Sequence, residues 1–406
     1  MERVILHSDL NNCYASIECM LHPELRGKYI AVCGSTEERH GIVLAKNQLA
    51  KQCGVKTGDV IWEARQKCPQ LTIVPPHMDQ YLKFSKLVRS IYLRYSPEVE
   101  SFGIDESWIS LTGSPLLKNR TPVEIANEIR ETVKAEVGLT VSIGVSFNKI
   151  FAKLGSDMKK PDAVTEIRPD TFREQVWPLP ASDLLYVGRA TEEKLRRYCI
   201  HTIGDLAQTD KDFLIRLLGV NGEKLWSYAN GLDSSRVMPC DYELPIKSIG
   251  HGITCTEDLV SEYEVRCVFR ELSQEVGLKL RKNKLAAMGV RIAVRDNILS
   301  YAECLTIRVS HSRPEVGAAG DNGYGMIAAE DLIAYLTAGR DHFTVGQTDC
   351  NNPVIVVNDL NDVIHIDHPI FKNNKTTHIK YLLFCTQAKD KVDAGPEPWP
   401  LLRAGI

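Results

Sequence analysis

Along the first 177 residues, apolar positions switch repeatedly between short continuous runs and a helical period, and the switches mark element boundaries. The run VILHSDL reads as a strand that ends at Asp9 and gives way to an amphipathic stretch, CYASIECML. IAVCG (30–34) and GIVLAKNQLAKQ (41–52) predict strand, turn, strand and a helix that stops before Gly54. LTIVPP reads as a further strand, closed by prolines. From 80 to 95, Tyr81, Phe84, Leu87, Val88, Ile91 and Tyr92 recur at helical spacing. VESFGIDESWISL predicts two short strands around a bend at Gly103-Ile104-Asp105. Thr121-Pro122 opens a helix to about Val137, with proline in its first turn and Gly138 closing it. LTVSIGVS is a strand and NKIFAKLGSDMKKP a helix, so the alternation predicts a mixed sheet layered with helices.

Beyond Trp177 the texture changes to short helices. LLYVGRATEEKLRRYCIHTIGDLAQ predicts helix, tight turn, helix, and LIRLLGVNGEKLWSYANGLD repeats the plan. VMPCDYEL (237–244) reads as a linker. IKSIGHGITCTEDL, the helical VRCVFRELSQEVGLKLRKN and the strands AAMGVRIAVRD and SYAECLTIRV then predict a small β-α-β-β domain. With 406 residues and 44% hydrophobic content, the chain is too long for one core and predicts about two to four domains.

Composition removes several classes. No run approaches the length of a membrane span. The start Met1-Glu2-Arg3 leads straight into a strand-like segment rather than a signal peptide, so a cytoplasmic location is expected. The 12 cysteines include no CxxC pair, which predicts reduced thiols and no structural zinc. The net charge of −3 gives no nucleic-acid footprint for the whole chain. Locally the balance reverses: residues 266–295 carry Arg266, Arg270, Lys279, Arg281, Lys282, Lys284, Arg291 and Arg295 against Glu271 and Glu275. Such a patch suits sequence-independent phosphate contacts, and equally a lysine-rich solvated helix.

The sharpest chemical feature is the trio Asp9, Asp105 and Glu106. Strand neighbours point to opposite faces, so Asp105 and Glu106 converge only where the backbone bends, and Gly103 offers a bend. A third carboxylate at a neighbouring strand end would complete a site for hard divalent cations. Two ions about 4 Å apart are the usual clamp for in-line phosphoryl transfer. The plainer reading makes Asp9 a strand-end turn residue and Asp105-Glu106 a solvated hairpin tip. Tyr14 lies one helical turn beyond Asp9, able to stack on a sugar or to fill core. Lys153, Lys159 and Lys160 follow one helix and could neutralise a triphosphate or line a solvated face; Lys46 and Lys51 share that ambiguity. The turns VGR (187–189) and GVNG (219–222) contain glycines that would let backbone N–H groups approach a phosphate; one such hairpin alone fits ordinary helical packing, and two in tandem favour the DNA-backbone reading.

Taken together, these strings resemble the Y-family of DNA polymerases, the DinB/UmuC type of translesion enzyme. DLNNCYASIE is similar to the family's first metal-binding motif, FGIDES to its second carboxylate motif and SFNKIFAKLGSDMKKP to its lysine motif. VGRATEEKLRRYCIHTIGDLA resembles the helix-hairpin-helix of the thumb, and all four stand in the family's order over about the first 300 residues. The resemblance implies an α+β multidomain chain: palm with fingers over 1–177 (fingers about 22–77), an all-helical thumb over 178–236, a linker at 237–244 and an α/β little-finger domain over 245–345. Recognition fades after about 309, and 346–406 is unassigned.

By the same resemblance, Asp9, Asp105 and Glu106 with the Leu10 carbonyl would bind two Mg²⁺ ions. Tyr14 falls at the steric-gate position that excludes a 2′-hydroxyl, and Lys160 matches the lysine on the incoming triphosphate. Cys13, Tyr14, Gln48 and Lys51 stand at nucleotide-binding positions; Gly188, Gly222, Arg291 and Arg295 at DNA-binding ones. Departures are Asn11 for a frequent second Asp, Cys13 for an aromatic, Gln48 and Lys51 for the fingers' Tyr and Arg, and Tyr186 for a usual glycine. The implied activity is low-fidelity, template-directed DNA synthesis without proofreading, in translesion synthesis and repair. The implied partners are primer–template DNA and deoxynucleoside triphosphates. The family's sliding clamp has no glutamine-led hydrophobic motif here near the end of the chain. A monomer is expected. The alternatives are a catalytically inactive DNA-binding relative and a nucleotidyl cyclase, which shares a palm-like sheet with paired acids.

Overall fold

The computed structural model describes residues 3–34, 41–257, 259, 261–285, 289–295, 302–308 and 380–386. It divides into two compact units, Met1–Glu243 and Leu244–Ile406.

In the first unit, β1 (Ile5–Leu10) runs into α1 (Cys13–Leu21), as the pattern predicts. The run 30–74 supplies β2 (Ile30–Cys33), β3 (Val43–Lys46), α2 (Gln48–Gln52), α3 (Ile61–Lys67) and β4 (Thr72–Val74). These strands make their own three-stranded sheet, β3-β2-β4, with β2 antiparallel to β3 and parallel to β4. Its core of Ala31, Val43, Ala50, Val55, Ala64 and Leu71 is separate from the main one.

Next come α4 (Met78–Tyr92), β5 (Val99–Ser101), β6 (Glu106–Ser110), α5 (Pro122–Val137), β7 (Val141–Ser146), α6 (Lys149–Met158) and β8 (Val164–Ile167). The helix α5 begins and ends as its sequence dictates: Thr121 and Glu124 form a reciprocal capping box, Pro122 opens the first turn, and Gly138 closes it at φ +77°. Five strands order as β5-β6-β1-β7-β8, with β1 antiparallel to both β6 and β7. Leu6, Ile17, Ile91, Ile109, Ile125, Ile129 and Ile143 form the core between this sheet and α1, α4 and α5. On β7, a Cβ at Gly144 would stand 1.9 Å from the Ala152 carbonyl oxygen and 2.5 Å from the Ser156 nitrogen. Backbone therefore lies directly on backbone where α6 crosses β7, with no side chain between them.

The helical segment follows as α7 (Phe172–Val176), α8 (Arg189–Arg196), α9 (Ile203–Gln208), α10 (Lys211–Leu218) and α11 (Val220–Ala229), around Leu184, Leu195, Ile203, Leu206, Leu214 and Leu225. The chain then returns along the five-stranded sheet. Val237 is buried with Ile5, Trp108 and Ala152, and the Cys240 N–H donates to the Pro97 carbonyl at 3.2 Å. Glu100 holds this return with both oxygens, one on Lys149 Nζ at 2.6 Å and one on the Met238 N–H at 2.9 Å.

The second unit contains β9 (Ser248–Thr254), α12 (Glu262–Lys282), β10 (Gly289–Arg295), β11 (Ala302–Arg308) and β12 (Lys380–Thr386). Its sheet order is β11-β10-β12-β9, every pair antiparallel. The strand β12 lies within the 346–406 stretch that the sequence leaves unassigned, and it fills the gap between β10 and β9.

Candidate active site

The register of the central strands brings the acidic trio together. Asp9 and Glu106 are directly opposite partners across β1 and β6, so their side chains leave the sheet on the same face. Asp105 precedes β6, and its carbonyl accepts the Leu10 N–H at 2.9 Å, fixing the loop tip to the end of β1. The bend is made at Gly103, whose φ of +88° favours glycine.

Lysines from α6 and the following turn meet these acids. Asn148 caps α6 through its side-chain oxygen on the Phe151 N–H at 2.7 Å. The helix then presents Lys153 Nζ to Asp9 Oδ2 at 3.3 Å, Glu106 Oε1 at 3.0 Å and Asp157 Oδ2 at 3.1 Å. Lys160 Nζ lies 2.7 Å from Asp9 Oδ2 and 2.8 Å from Asp157 Oδ1. The turn that holds Lys160 is tied to β1 by Asn11, which accepts the Asp162 N–H with Oδ1 at 2.8 Å and donates with Nδ2 to Ser142 Oγ at 2.9 Å. An amide can do both, which gives Asn11 a structural use in place of a further carboxylate. Arg130 and Lys134 secure Asp162 from outside.

The carboxylates are tuned in different directions. Burial raises the pKa of Asp105, and the charges of Asp9 and Glu106 add to the rise. Burial also raises Asp9, against the opposing pull of Lys160 and Lys153. Glu106 feels the same burial, but the His7 ring and the Lys153 ammonium outweigh it and hold its pKa at about 2. His7 is buried, with Nε2 3.2 Å from Glu106 Oε2 and Nδ1 2.9 Å from Ser156 Oγ. Burial lowers its pKa, which favours the neutral ring.

The site suits a hard divalent cation by donor chemistry: three carboxylates at one sheet end, with Glu106 Oε2 buried and lacking an aligned hydrogen-bond partner. As the side chains stand, no group of three acidic, imidazole or thiol side chains among the described residues is gathered into a closed ligand set. The lysine ammoniums occupy Asp9 and Glu106 instead.

Tyr14 stacks on Tyr81, with ring centroids 4.2 Å apart and planes 10° apart. Tyr81 is fully buried and donates its hydroxyl to Glu18, which also pairs with His77 Nδ1 at 2.9 Å. Sequence reasoning saw Tyr81 only as an apolar helix position and missed Glu18. An acid on the apolar side of α1, within DLNNCYASIE, is the signal that could have found it. Cys13 is buried, and burial pushes its thiol well above the ordinary range. Gln48 and Lys51 are exposed on α2, which belongs to the three-stranded sheet.

The hairpin glycines differ from each other. Gly188 is the exposed N-cap of α8, and a Cβ there would touch nothing. Gly222 is buried; its N–H donates to the Gly219 carbonyl at 2.9 Å, and a Cβ would meet the Leu214 carbonyl oxygen at 2.0 Å. Close packing of α10 on α11 explains that glycine, and its N–H already has a partner. Tyr186 is exposed at φ +73°, a left-handed conformation that a glycine would hold without strain. Arg291 and Arg295 lie on β10, opposite Thr306 and Ala302 of β11 in the register. From the same basic stretch, Lys279 is turned inward onto the Gly250 carbonyl at 3.3 Å and His251 Nδ1 at 3.0 Å.

Comparison with known proteins agrees with this fold. The model of the impB/mucB/samB family matches residues 8–157, and that of the family's C-terminal domain matches 246–322. The chain is 54% identical to DNA polymerase IV of Acetivibrio thermocellus over 303 residues, 75% of this chain and 76% of that one. It is 39% identical to DNA polymerase IV 1 of Bacillus subtilis over 305 residues, 75% of this chain and 72% of that one. A chimeric Y-family DNA polymerase shares the fold with a TM-score of 0.74 at 18% identity, over 95% of this chain and 99% of the other. The chain belongs to the Y-family of DNA polymerases, within the impB/mucB/samB group that includes DNA polymerase IV. That membership carries DNA as substrate and the use of a divalent metal. No helix among the described residues is long and apolar enough to cross a membrane.

Proposed function

We propose that this chain is a template-directed DNA polymerase of the translesion type, adding deoxynucleotides to a primer by phosphoryl transfer at Asp9, Asp105 and Glu106. One observation carries the assignment of the site. Two acids from motifs about 100 residues apart are direct cross-strand partners, a third stands at the adjoining bend, and two lysines of a third motif face them.

Asp9, Asp105, Glu106 and the Leu10 carbonyl are the residues that would hold two Mg²⁺ ions. When bound, the ions supply Lewis acidity at the primer 3′-hydroxyl and the α-phosphate and offset charge on the departing pyrophosphate. Lys160 reaches the triphosphate as a point charge from the turn fixed by Asn11, with Lys51 and Gln48 adding contacts from α2. Cys13 and Tyr14 line the sugar side, and the Tyr14 ring, backed by Tyr81, leaves no room for a 2′-hydroxyl. In the first unit, the Gly188 end of α8 and the α10–α11 hairpin, whose close packing Gly222 permits, would meet the duplex backbone; in the second, Arg291 and Arg295 of β10 would supply phosphate contacts of their own. Such contacts read no sequence, and an open nucleotide site of this kind supports low fidelity and tolerance of damaged templates.

Primer extension on undamaged primer–template with Mg²⁺ and four deoxynucleotides tests the reading, with Asp105→Ala/Glu106→Ala as control. Short, template-dependent extension lost in the double mutant is expected. Undiminished extension in that mutant would overturn the assignment of the trio. Tyr14→Ala should admit ribonucleotides by at least about tenfold more, a change of about 1.4 kcal/mol in discrimination; unchanged sugar selectivity removes its gate role.

A further inference from the structure

Among the described residues, Lys153 is the ammonium that contacts both cross-strand acids of the candidate site, Asp9 and Glu106, while Lys160 meets Asp9 alone of the two. It is only 13% exposed and faces Asp9 at 3.3 Å, Glu106 at 3.0 Å and Asp157 at 3.1 Å. The phosphoryl-transfer reading gives it no task, because the triphosphate is met by Lys160. An ammonium and a divalent cation seek the same carboxylate lone pairs, so Asp9 and Glu106 cannot fully serve both. Asp157 stands apart from that contest. It is 45% exposed, lies one helical turn beyond Lys153, and accepts Lys153 on Oδ2 and Lys160 on Oδ1, the latter at 2.8 Å.

We propose that Lys153 is a built-in counterion of the carboxylate site, displaced onto Asp157 when a divalent cation binds, so that cation affinity is set by competition with this lysine. The inference rests on reading Asp9 and Glu106 as cation ligands. Its physical basis is charge balance. Partly buried carboxylates at one strand end repel one another, and an ammonium among them offsets that cost when no divalent cation is bound. Asp157 gives the displaced ammonium a second partner within reach of the same rotamer-rich side chain, so cation entry does not strand a charge. Lys160 would remain on Asp157 as well, held near the place where a triphosphate arrives.

The test measures binding of Mn²⁺ to the full chain by electron paramagnetic resonance of the free ion, without DNA or nucleotide, and melting in EDTA. Lys153→Met is expected to bind Mn²⁺ about tenfold tighter, the equivalent of about 1.4 kcal/mol. It should also melt at a lower temperature than wild type in EDTA and recover more on adding Mn²⁺. Asp157→Asn, at an exposed position that leaves the core untouched, is expected to bind several-fold more weakly, because Lys153 has lost its second seat. Wild-type affinity or weaker in folded Lys153→Met overturns the proposal. Should that variant fail to fold, unchanged affinity in Asp157→Asn overturns it instead. Failure of the underlying reading looks different: wild type binds no Mn²⁺, or binds it no better than Asp105→Ala/Glu106→Ala.

Discussion

Two parts of the first unit use polar residues in opposite ways. Around Asp9 the buried side chains include His7, Ser8, Asn11, Ser142 and Ser156. Across 178–236, no polar or charged side chain among the described residues is buried, and the centre is Leu184, Leu195, Ile203, Leu206, Leu214 and Leu225. The interior of the helical hairpins is held by hydrophobic burial, with polar caps confined to the surface. The sheet end carries a set of charges placed for chemistry, and burial there raises the pKa values of Asp9 and Asp105, which is a cost to folding at neutral pH.

The comparison can be broken most sharply at two glycines. Gly144→Ala drives a Cβ into the backbone of α6, and Gly222→Ala drives one into the Leu214 carbonyl. Each should cost about 1–3 kcal/mol or more, read as a fall in Tm. They should differ in the fraction that stays folded: Gly144→Ala displaces Lys153 and alters Mn²⁺ binding, whereas Gly222→Ala keeps that binding and loses affinity for primer–template. Equal Mn²⁺ binding in both would show that α6 does not set the site.

Smaller effects sharpen the contrast through pH. The Asp105 pKa is raised by burial, so the stability it contributes is present below the ordinary carboxylate range and lost as pH rises through its folded pKa. Asp105→Asn should therefore melt higher than wild type at pH 7 in EDTA, with the gap closing as pH falls. In the hairpins the sign reverses. Asp205 is lowered by the backbone N–H groups of Thr202 and His201, with the Thr202 hydroxyl adding to the effect, so its contribution is present above the ordinary range and lost as pH falls. Asp205→Asn should cost about 0.5–1 kcal/mol at pH 7 and nothing at low pH. Melting curves of both variants from pH 3 to about 8 would show the two aspartates moving in opposite directions; parallel behaviour would remove the distinction.

Much of the fold was legible where local chemistry decides it. The capping box at Thr121, Pro122 and Gly138 bound α5 where the pattern put them, and Asp9 and Asp105 lie on the expected strand and bend, whereas the helix expected to carry Lys159 and Lys160 ends at Met158 and leaves both in the following turn. What escaped depends on pairing between distant segments. Strand β12 joins the second sheet more than 70 residues after β11, and no local period announces that. Glu18 reads as one more polar residue until Tyr81, 63 positions later, is placed against it. Lys153 reads as one of several helical lysines until β1 and β6 bring Asp9 and Glu106 beneath it. Gly222 carried two readings in sequence, and only the nearness of Leu214 selects packing.

The contact of α6 on β7 at Gly144 has a bearing on how such an enzyme drifts over generations. Where a helix rests on large side chains, every exchange of leucine for valine or isoleucine alters its height and tilt. Here the height is fixed by atomic radii of peptide groups, and on the helix side a Cβ added at Gly155 would stand 3.2 Å from the Gly144 Cα. Backbone contact thereby keeps the lysines in register with the acids, and two missing methyl groups act as the datum from which the site is measured.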